Sequence, residues 1–383
     1  MGSSFSKIGH AVTTVRQFSP FLVGLTMMSL AACSAVAPEA QAVEDGDVLG
    51  ERHDEVRALI AARKASGYVA ASQSDGHKLC PVVQGGGMRG ILGSAAAVAL
   101  DQLGIAETFD AMYGTSAGGL TVAYLAAGQI AHGTAIYYQN LAGHSHFIDR
   151  SRLSEPMDVG FLFDQWITKG KALDTGALAE SPVDVAVATT DASDGTVRVF
   201  DNRELSGDLF VSALRASASM PLFSNNREII LGREYSDGFM AAPLPIKPAI
   251  DDGCTHMVVL PTSAPETRDS VGLVERIHAL FRMGDYPKAF QDAFARRAEI
   301  YNATVDQLYG AGYGQPTMII APRNLKNVPS NRETNPDVLV SAARASLRRV
   351  ERAFGADVGV TKLYFATEGL PAFPGGSKEN APS

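Results

Sequence analysis

The feature that most constrains the fold is a pattern that occurs twice in the first half of the chain: a short apolar strand, a glycine-rich turn and a helix. The first copy covers 78–103 and the second covers 111–140. Because parallel neighbouring strands need a helical crossover, this order predicts a parallel sheet covered by helices. Further patterns continue it, with strands at 183–188, 197–200, 256–260 and 317–321 and helices at 271–308 and 338–354. The sequence therefore predicts an α/β fold with a mostly parallel central sheet and helices on both faces.

Composition and charge limit the function. The 383 residues are 46% hydrophobic and 19% charged, which is ordinary for a soluble globular protein. A formal net charge of −8 repels nucleic acid, so we expect no nucleic-acid partner. No group of histidines and carboxylates has the spacing of metal ligands, and neither a metal nor another cofactor is expected. Cys80 and Cys254 either pair in an oxidising compartment or remain as free buried thiols, and the sequence leaves both open.

The N-terminus is typical of an exported protein. An apolar run at 21–32 follows two basic residues and is too short to span a bilayer, but it suits a secretory signal. It ends in a Leu-Ala-Ala-Cys box that resembles the cleavage site of bacterial lipoproteins. We therefore expect 1–32 to be a signal peptide and Cys33 to be lipidated, tethering the protein to a membrane of the cell envelope, the outer membrane included. Cleavage after 40–42 would instead give a free periplasmic or secreted protein.

The remaining chain divides into a tether, one domain and a tail. Residues 33–53 are rich in Ala, Pro, Glu and Asp and read as a flexible tether. The domain is predicted at 54–370, with its motifs inside 79–260, and 371–383 reads as a disordered tail. An irregular stretch at 144–170 has two interpretations: a cover over a lipid-binding groove, or a surface excursion with its own small apolar cluster.

The second strand ends in the motif G-x-S-x-G, formed by Gly114, Ser116 and Gly118. A serine at a sharp strand-to-helix turn presents its hydroxyl at the edge of the sheet, and glycines are needed where side chains would clash in the turn. The following helix also directs its positive dipole end at the serine. The motif alone is common by chance, but its place between a strand and a helix predicts a nucleophile at Ser116.

The first strand ends in a glycine-rich loop at 85–90. Successive glycines leave backbone N–H groups uncovered and able to point at one place, as an oxyanion hole requires. We expect the donors to lie among four residues: Gly86, Gly87, Met88 and Arg89.

The same loop has a rival interpretation. Gly85, Gly87 and Gly90 spell G-x-G-x-x-G, and Asp110 follows at about the spacing of a dinucleotide-binding motif, roughly 20 residues on. In that motif the acid closes the second strand, whereas Asp110 precedes it. Nucleotide binding is therefore disfavoured.

The loop, the elbow, a small-residue segment and an Asp-Gly box together resemble the patatin-like phospholipase family. That family has a glycine-rich loop with a basic residue, a G-x-S-x-G elbow, an Ala-Ser…Pro…Phe segment and an Asp-Gly-Gly or Asp-Gly-Ala box. The matching residues are 85–90 with Arg89, 114–118, 216–223, and Asp237 with Gly238. The last box departs from the family pattern, because Phe239 stands where the family has Gly or Ala.

The resemblance implies a patatin-like three-layer sandwich and a catalytic dyad without histidine. Ser116 would attack the acyl carbonyl of a lipid ester and Asp237 would accept its proton, giving an acyl-enzyme that water hydrolyses. The expected activity is that of a phospholipase A or lysophospholipase. The alternatives are a soluble-ester or thioester hydrolase or an acyltransferase with the same dyad, and a non-catalytic lipid-binding lipoprotein. A histidine-containing triad would use His256 or His278.

Overall fold

The computed structural model describes residues 49–70, 74–152, 155–272, 279 and 282–365, with the side chain of Asn327 left out. The predicted signal peptide, Cys33, most of the tether and the predicted tail at 371–383 lie outside the described residues. No helix in the described part is long and apolar enough to cross a bilayer.

Within these residues, eight strands form one mixed sheet. The strands are β1 Leu79–Val83, β2 Ala111–Thr115, β3 Asp184–Asp191, β4 Val197–Asp201, β5 Glu228–Ile230, β6 Arg233–Asp237, β7 His256–Leu260 and β8 Thr317–Ile319. Their spatial order is β5-β6-β3-β2-β1-β7-β8, with β4 also paired to β3. The pairs among β3, β2, β1, β7 and β8 are parallel, and those that involve β4, β5 or β6 are antiparallel.

Helices follow most of the strands. They are α1 His53–Ser66, α2 Ile91–Gln102, α3 Ala117–Ala126, α4 Ile130–Ala135, α5 Val159–Phe161, α6 Thr175–Glu180, α7 Asp208–Ala218, α8 Ile246–Asp251, α9 Lys288–Tyr309 and α10 Pro336–Ala353. π-Helical turns at Ile136–Leu141 and Leu162–Gly170 continue α4 and α5.

The central strands are buried on both faces, which explains why they read as continuous apolar runs. In β1, Leu79 and Val83 pack into the core formed with α2, α3 and α4, whereas Cys80 and Val82 pack into the core formed with α8. Side chains that alternate between two helical layers produce a three-layer α/β sandwich. The predicted fold class is confirmed.

β2 and β6 meet end to end along one edge of β3. β2 pairs with β3 up to Ala188, and β6 runs in the opposite direction and ends beside Thr189. The other edge of β3 is occupied by β4, which pairs with Ala186 to Thr190. The last residues of β2 and β6 are therefore brought together although they are far apart in the chain. No pattern in the sequence predicted the β5–β6 hairpin that makes this possible.

A disulfide joins Cys80 of β1 to Cys254, which precedes the neighbouring strand β7. Both cysteines are buried in the core beside α8, and their Cα atoms are 6.0 Å apart. Of the two alternatives that the sequence left open, the structure has the paired form.

The disulfide closes a sequence separation of 174 residues, so it restricts the unfolded chain strongly. Replacing both cysteines by alanine is expected to lower the free energy of unfolding by about 3–5 kcal/mol. Urea denaturation of the oxidised protein and of the Cys80→Ala/Cys254→Ala variant measures this. Reducing agent should destabilise the wild type and leave the variant unchanged. Equal stability of the two proteins without reductant would contradict the prediction.

Candidate active site

Ser116 lies at the turn between β2 and α3, as the G-x-S-x-G motif predicts. A Cβ atom on Gly114 would lie 2.3 Å from the carbonyl oxygen of Gly118, and one on Gly118 would lie 2.2 Å from that of Val83. The motif glycines therefore let backbone pack directly on backbone. Ser116 itself has φ of 56°, a conformation that residues with a side chain seldom adopt. Backbone strain of this kind is typical of a nucleophile elbow.

The hydroxyl of Ser116 faces the carboxylate of Asp237. Its Oγ donates a hydrogen bond to Oδ2 of Asp237 at 3.2 Å, and both residues are buried. The contact follows from the sheet, since Ser116 succeeds the last residue of β2 and Asp237 ends β6 on the same edge of β3. The two residues that the sequence singled out are thus within hydrogen-bond distance.

Burial sets the basicity of Asp237. Loss of solvent raises the pKa of its carboxyl from 3.8 to about 7, although hydrogen bonds from the Phe239 amide and the Ser116 hydroxyl act in the opposite direction. The Phe239 amide donates to Oδ1 at 2.8 Å, which leaves Oδ2 for the serine. A carboxylate with this pKa is a much better proton acceptor at neutral pH than an exposed aspartate.

Hydroxyl side chains hold the backbone of Ser116 and Asp237 in place. The sequence did not predict this role for them. Ser217 Oγ accepts a hydrogen bond from the Ser116 amide at 2.7 Å and donates one to the Ala188 carbonyl at 2.6 Å. Thr190 Oγ1 donates to the carbonyl of Asp237 at 2.8 Å. The Ala-Ser pair of the small-residue segment was the only available signal for Ser217.

The glycine-rich loop lies beside Ser116, because a Cβ atom on Gly85 would be 2.9 Å from Cβ of the serine. The amide of Met88 donates to the carbonyl of Asn331 at 3.0 Å, and the amide of Arg89 donates to that of Gly86 at 3.1 Å. No acceptor for the amides of Gly86 and Gly87 occurs among the described residues. Of the four predicted donors, two are therefore already engaged and two are available.

Arg89 and two helix N-termini bring positive charge to the loop. The Nε atom of Arg89 is buried and has no hydrogen-bond partner in the described part of the chain. It lies over the loop, since a Cβ atom on Gly86 would be 3.4 Å from it. The N-termini of α2 and α3 also begin here, directly after the loop and after Ser116, and each carries a partial positive charge.

An apolar cavity extends from Ser116 into the helical layer. It is lined by Leu120, Thr121 and Tyr124 along α3. Tyr124 is eight residues after Ser116, so the cavity follows α3 for roughly 12 Å. The hydroxyl of Ser94 in the wall is bonded to Thr134 at 2.7 Å, so this polar group already has a partner. An acyl chain is the substrate part that such a cavity suits.

The irregular stretch at 144–170 forms one wall of this cavity. Its lining side chains are Phe147, Met157, Val159, Leu162 and Ile167. The described part of the stretch therefore packs against an apolar cavity and is not a separate surface cluster, and its role as a cover over a lipid-binding groove stays a prediction.

The nucleotide-binding interpretation and a triad that uses His256 lose their geometric basis. Asp110 accepts hydrogen bonds from Arg63 and from the Leu79 amide at the start of β1, so it lies at the opposite end of the strands from the glycine loop. His256 opens β7, parallel to β1, and is also at that opposite end. His278 lies outside the described residues.

Comparison with known proteins agrees with this geometry. Residues 82–250 match the family model of patatin-like phospholipase. Among solved structures, the chain is similar to VipD from Legionella pneumophila at 12% sequence identity and a TM-score of 0.40, over 82% of this chain and 72% of that chain. No curated protein matches. The family match supports lipid ester hydrolase activity in general. The resemblance predicted from the motifs is confirmed over residues 82–250, which match the family model of patatin-like phospholipase.

Proposed function

We propose that this protein is a serine acyl hydrolase of the phospholipase A or lysophospholipase type, with Ser116 as nucleophile and Asp237 as general base. The observation that carries the proposal is the hydrogen bond between the two side chains at the head of an apolar cavity. A nucleophile, a base of raised pKa and a cavity for an acyl chain are the parts that lipid ester hydrolysis needs.

In the first half of the reaction, Ser116 Oγ attacks the ester carbonyl and its proton passes to Asp237. The protonated Asp237 then donates this proton to the leaving alcohol oxygen as the ester C–O bond breaks. In the second half, a water molecule loses a proton to Asp237 and attacks the acyl-serine, which releases the fatty acid and restores the hydroxyl.

The negative charge on the carbonyl oxygen needs donors that are not already engaged. We propose that the amides of Gly86 and Gly87 form the oxyanion hole, because those of Met88 and Arg89 are bonded within the protein. One such donor contributes roughly 3–4 kcal/mol to the transition state. The charge of Arg89 and the N-terminus of α3 add to the stabilisation.

The pH dependence follows from the raised pKa of Asp237. The base must be ionised, so kcat/KM for a short-chain soluble ester should rise about tenfold per pH unit in acid and level off above a midpoint near pH 7. A stopped assay between pH 5 and pH 9, with protein folding verified at each pH, measures the profile. A profile that stays flat from pH 5 to pH 9 would show that the base keeps the ordinary value of 3.8 and that burial does not raise it.

The proposed acyl cavity makes chain length a test. Leu120 is one helical turn from Ser116, so tryptophan there should fill the cavity roughly 6 Å from the nucleophile. An extended chain advances roughly 1.2 Å per bond, so acyl groups longer than about five carbons should be excluded. We expect Leu120→Trp to lose at least tenfold in kcat/KM on long-chain esters and less than threefold on butyryl esters.

The matched control for this variant is Leu209→Trp in α7, a partly exposed leucine that does not line the cavity. It should leave the ratio of long-chain to short-chain activity unchanged. If Leu120→Trp lowers both activities equally, the cavity is not the acyl site.

We propose that the protein acts outside the cytoplasm, as a cell-envelope lipoprotein tethered through Cys33 or as a free periplasmic or secreted form. The support is the signal-like N-terminus together with the disulfide, which persists in oxidising compartments. Mass spectrometry of the mature N-terminus separates the two forms. Product analysis on phospholipid, lysophospholipid and an acyl acceptor alcohol separates hydrolysis from acyl transfer.

A further inference from the structure

The tip of the β5–β6 hairpin carries two leucine-sized side chains that the fold does not cover. Ile229 and Leu231 are 69% and 66% exposed, the highest values among the large apolar side chains in the described part of the chain. They are two residues apart, Ile229 in β5 and Leu231 in the turn that follows it. Ile230 between them is fully buried. An exposed apolar pair at a projecting tip has an unfavourable contact with water.

Leu231 is also unfavourable for the turn itself. The two loop residues Leu231 and Gly232 have φ of 50° and 82°, the combination that a type I′ turn requires. Asn-Gly is the preferred pair for such a turn, and a bulky residue at positive φ is strained. Asparagine at this position would therefore make the turn more stable. A leucine that is both strained and exposed indicates a role outside folding.

The hairpin rises from the end of the sheet that carries the dyad. Tyr235 of β6 pairs with Asp191, the last residue of β3, so the turn extends past that strand by roughly 10 Å. The same strand β6 ends at Asp237. The apolar tip and the nucleophile are thus presented at one end of the molecule.

The charges that flank the tip are neutralised within the protein. Arg227 pairs with Glu234 at 2.7 Å, and Arg233 pairs with Asp191 at 3.0 Å. The tip of the hairpin can therefore approach an apolar phase without desolvating an isolated charge. Because the chain has a net charge of −8, attraction to anionic headgroups does not drive membrane binding. Insertion of apolar side chains is the remaining driving force.

We propose that the β5–β6 hairpin inserts Ile229 and Leu231 into the surface of a lipid bilayer and so presents the active site to its substrate. The inference rests on the proposed lipid substrate, but it concerns how the protein meets the lipid and not the chemistry. A tethered protein would still need this contact, since a lipid on Cys33 fixes distance and not orientation.

The first test measures interfacial kinetics with phosphatidylcholine vesicles. Leu231→Asn and Ile229→Ser should each hydrolyse vesicle lipid three- to tenfold more slowly, while turnover of a soluble butyryl ester stays within twofold of the wild type. Leu231→Asn should fold at least as stably as the wild type, because asparagine suits the turn. The matched control replaces Val358 and Val360 by serine, since these residues are 58% and 56% exposed. They lie near the end of α2, where Gln102 bonds the carbonyl of Lys362, away from the dyad.

The second test reports insertion directly and is insensitive to a lipid anchor. The emission that Leu231→Trp adds to that of Trp166 should be quenched by vesicles of brominated phosphatidylcholine, and the emission that Val358→Trp adds should not. Unchanged vesicle hydrolysis in both hairpin variants, or no quenching at position 231, would overturn the proposal while the soluble-ester assay still reports on the dyad. A wild-type dimer that becomes monomeric in Leu231→Asn would also overturn it, because the tip would then contact a second copy.

Discussion

Ser116→Ala is expected to lower kcat/KM by roughly 10⁴- to 10⁶-fold, since removal of a nucleophile leaves only the oxyanion donors and substrate binding. The expectation rests on the hydrogen bond from Ser116 Oγ to Asp237 and on the strained turn that presents it. Ester hydrolysis, together with covalent labelling by a fluorophosphonate probe, measures the effect. The variant should neither hydrolyse nor label, and its melting temperature should stay close to that of the wild type.

Ser94 is the matched control for this substitution. It is a buried serine that lines the same cavity, but its hydroxyl is bonded to Thr134 and has no carboxylate beside it. Ser94→Ala should therefore keep most of the activity and all of the labelling. A labelled peptide that contains Ser94, or activity in Ser116→Ala within tenfold of the wild type, would refute the assignment of the nucleophile.

The parts of this site that the sequence predicted are those that depend on local backbone geometry. The elbow at 114–118 and the loop at 85–90 need glycine because backbone approaches backbone, and that requirement is visible in the residue types themselves. The apolar runs of the central strands were equally visible, since burial on both faces leaves no polar alternation. These features predicted the fold class and the proposed nucleophile.

The parts that could not be predicted depend on contacts between distant segments. Asp237 reaches Ser116 across 121 residues because β6 pairs with the end of β3, and only the family motif pointed to it. The hairpin that contains β6 was missed because its turn has Leu231 where asparagine would have been the signal. The carbonyl of Asn331, which engages the Met88 amide, comes from the backbone of a late loop and has no side-chain signature.

Asp237→Asn is expected to change activity and stability in opposite directions. Asparagine keeps the shape and the acceptor for the Phe239 amide but cannot take a proton from Ser116, so kcat/KM should fall by roughly 10³- to 10⁴-fold. The buried carboxylate, however, costs the wild type stability once it ionises. The variant has no charge there and does not bear this cost.

The raised pKa of Asp237 determines the direction of the stability change and the pH range in which it occurs. Between 3.8, the ordinary value, and about 7, the value in the folded protein, the folded state binds more protons at this group than the unfolded state does. The stabilising contribution of the Asp237 carboxyl is therefore fully present below pH 3.8 and is lost as the pH rises through about 7. The free energy of unfolding of Asp237→Asn, relative to the wild type, should increase by roughly 3–4 kcal/mol between pH 4 and pH 8 and stay constant above.

Urea denaturation of both proteins at pH 4, 6, 8 and 9 measures this difference, and Ser116→Ala serves as the control. That variant removes the nucleophile but keeps the buried carboxylate, so its stability should follow the pH dependence of the wild type. An inactive Asp237→Asn whose stability also follows the wild type would mean that the carboxylate is not desolvated in the folded protein. Only a buried base beside a nucleophile is expected to give a variant that loses its activity and is more stable than the wild type above neutral pH.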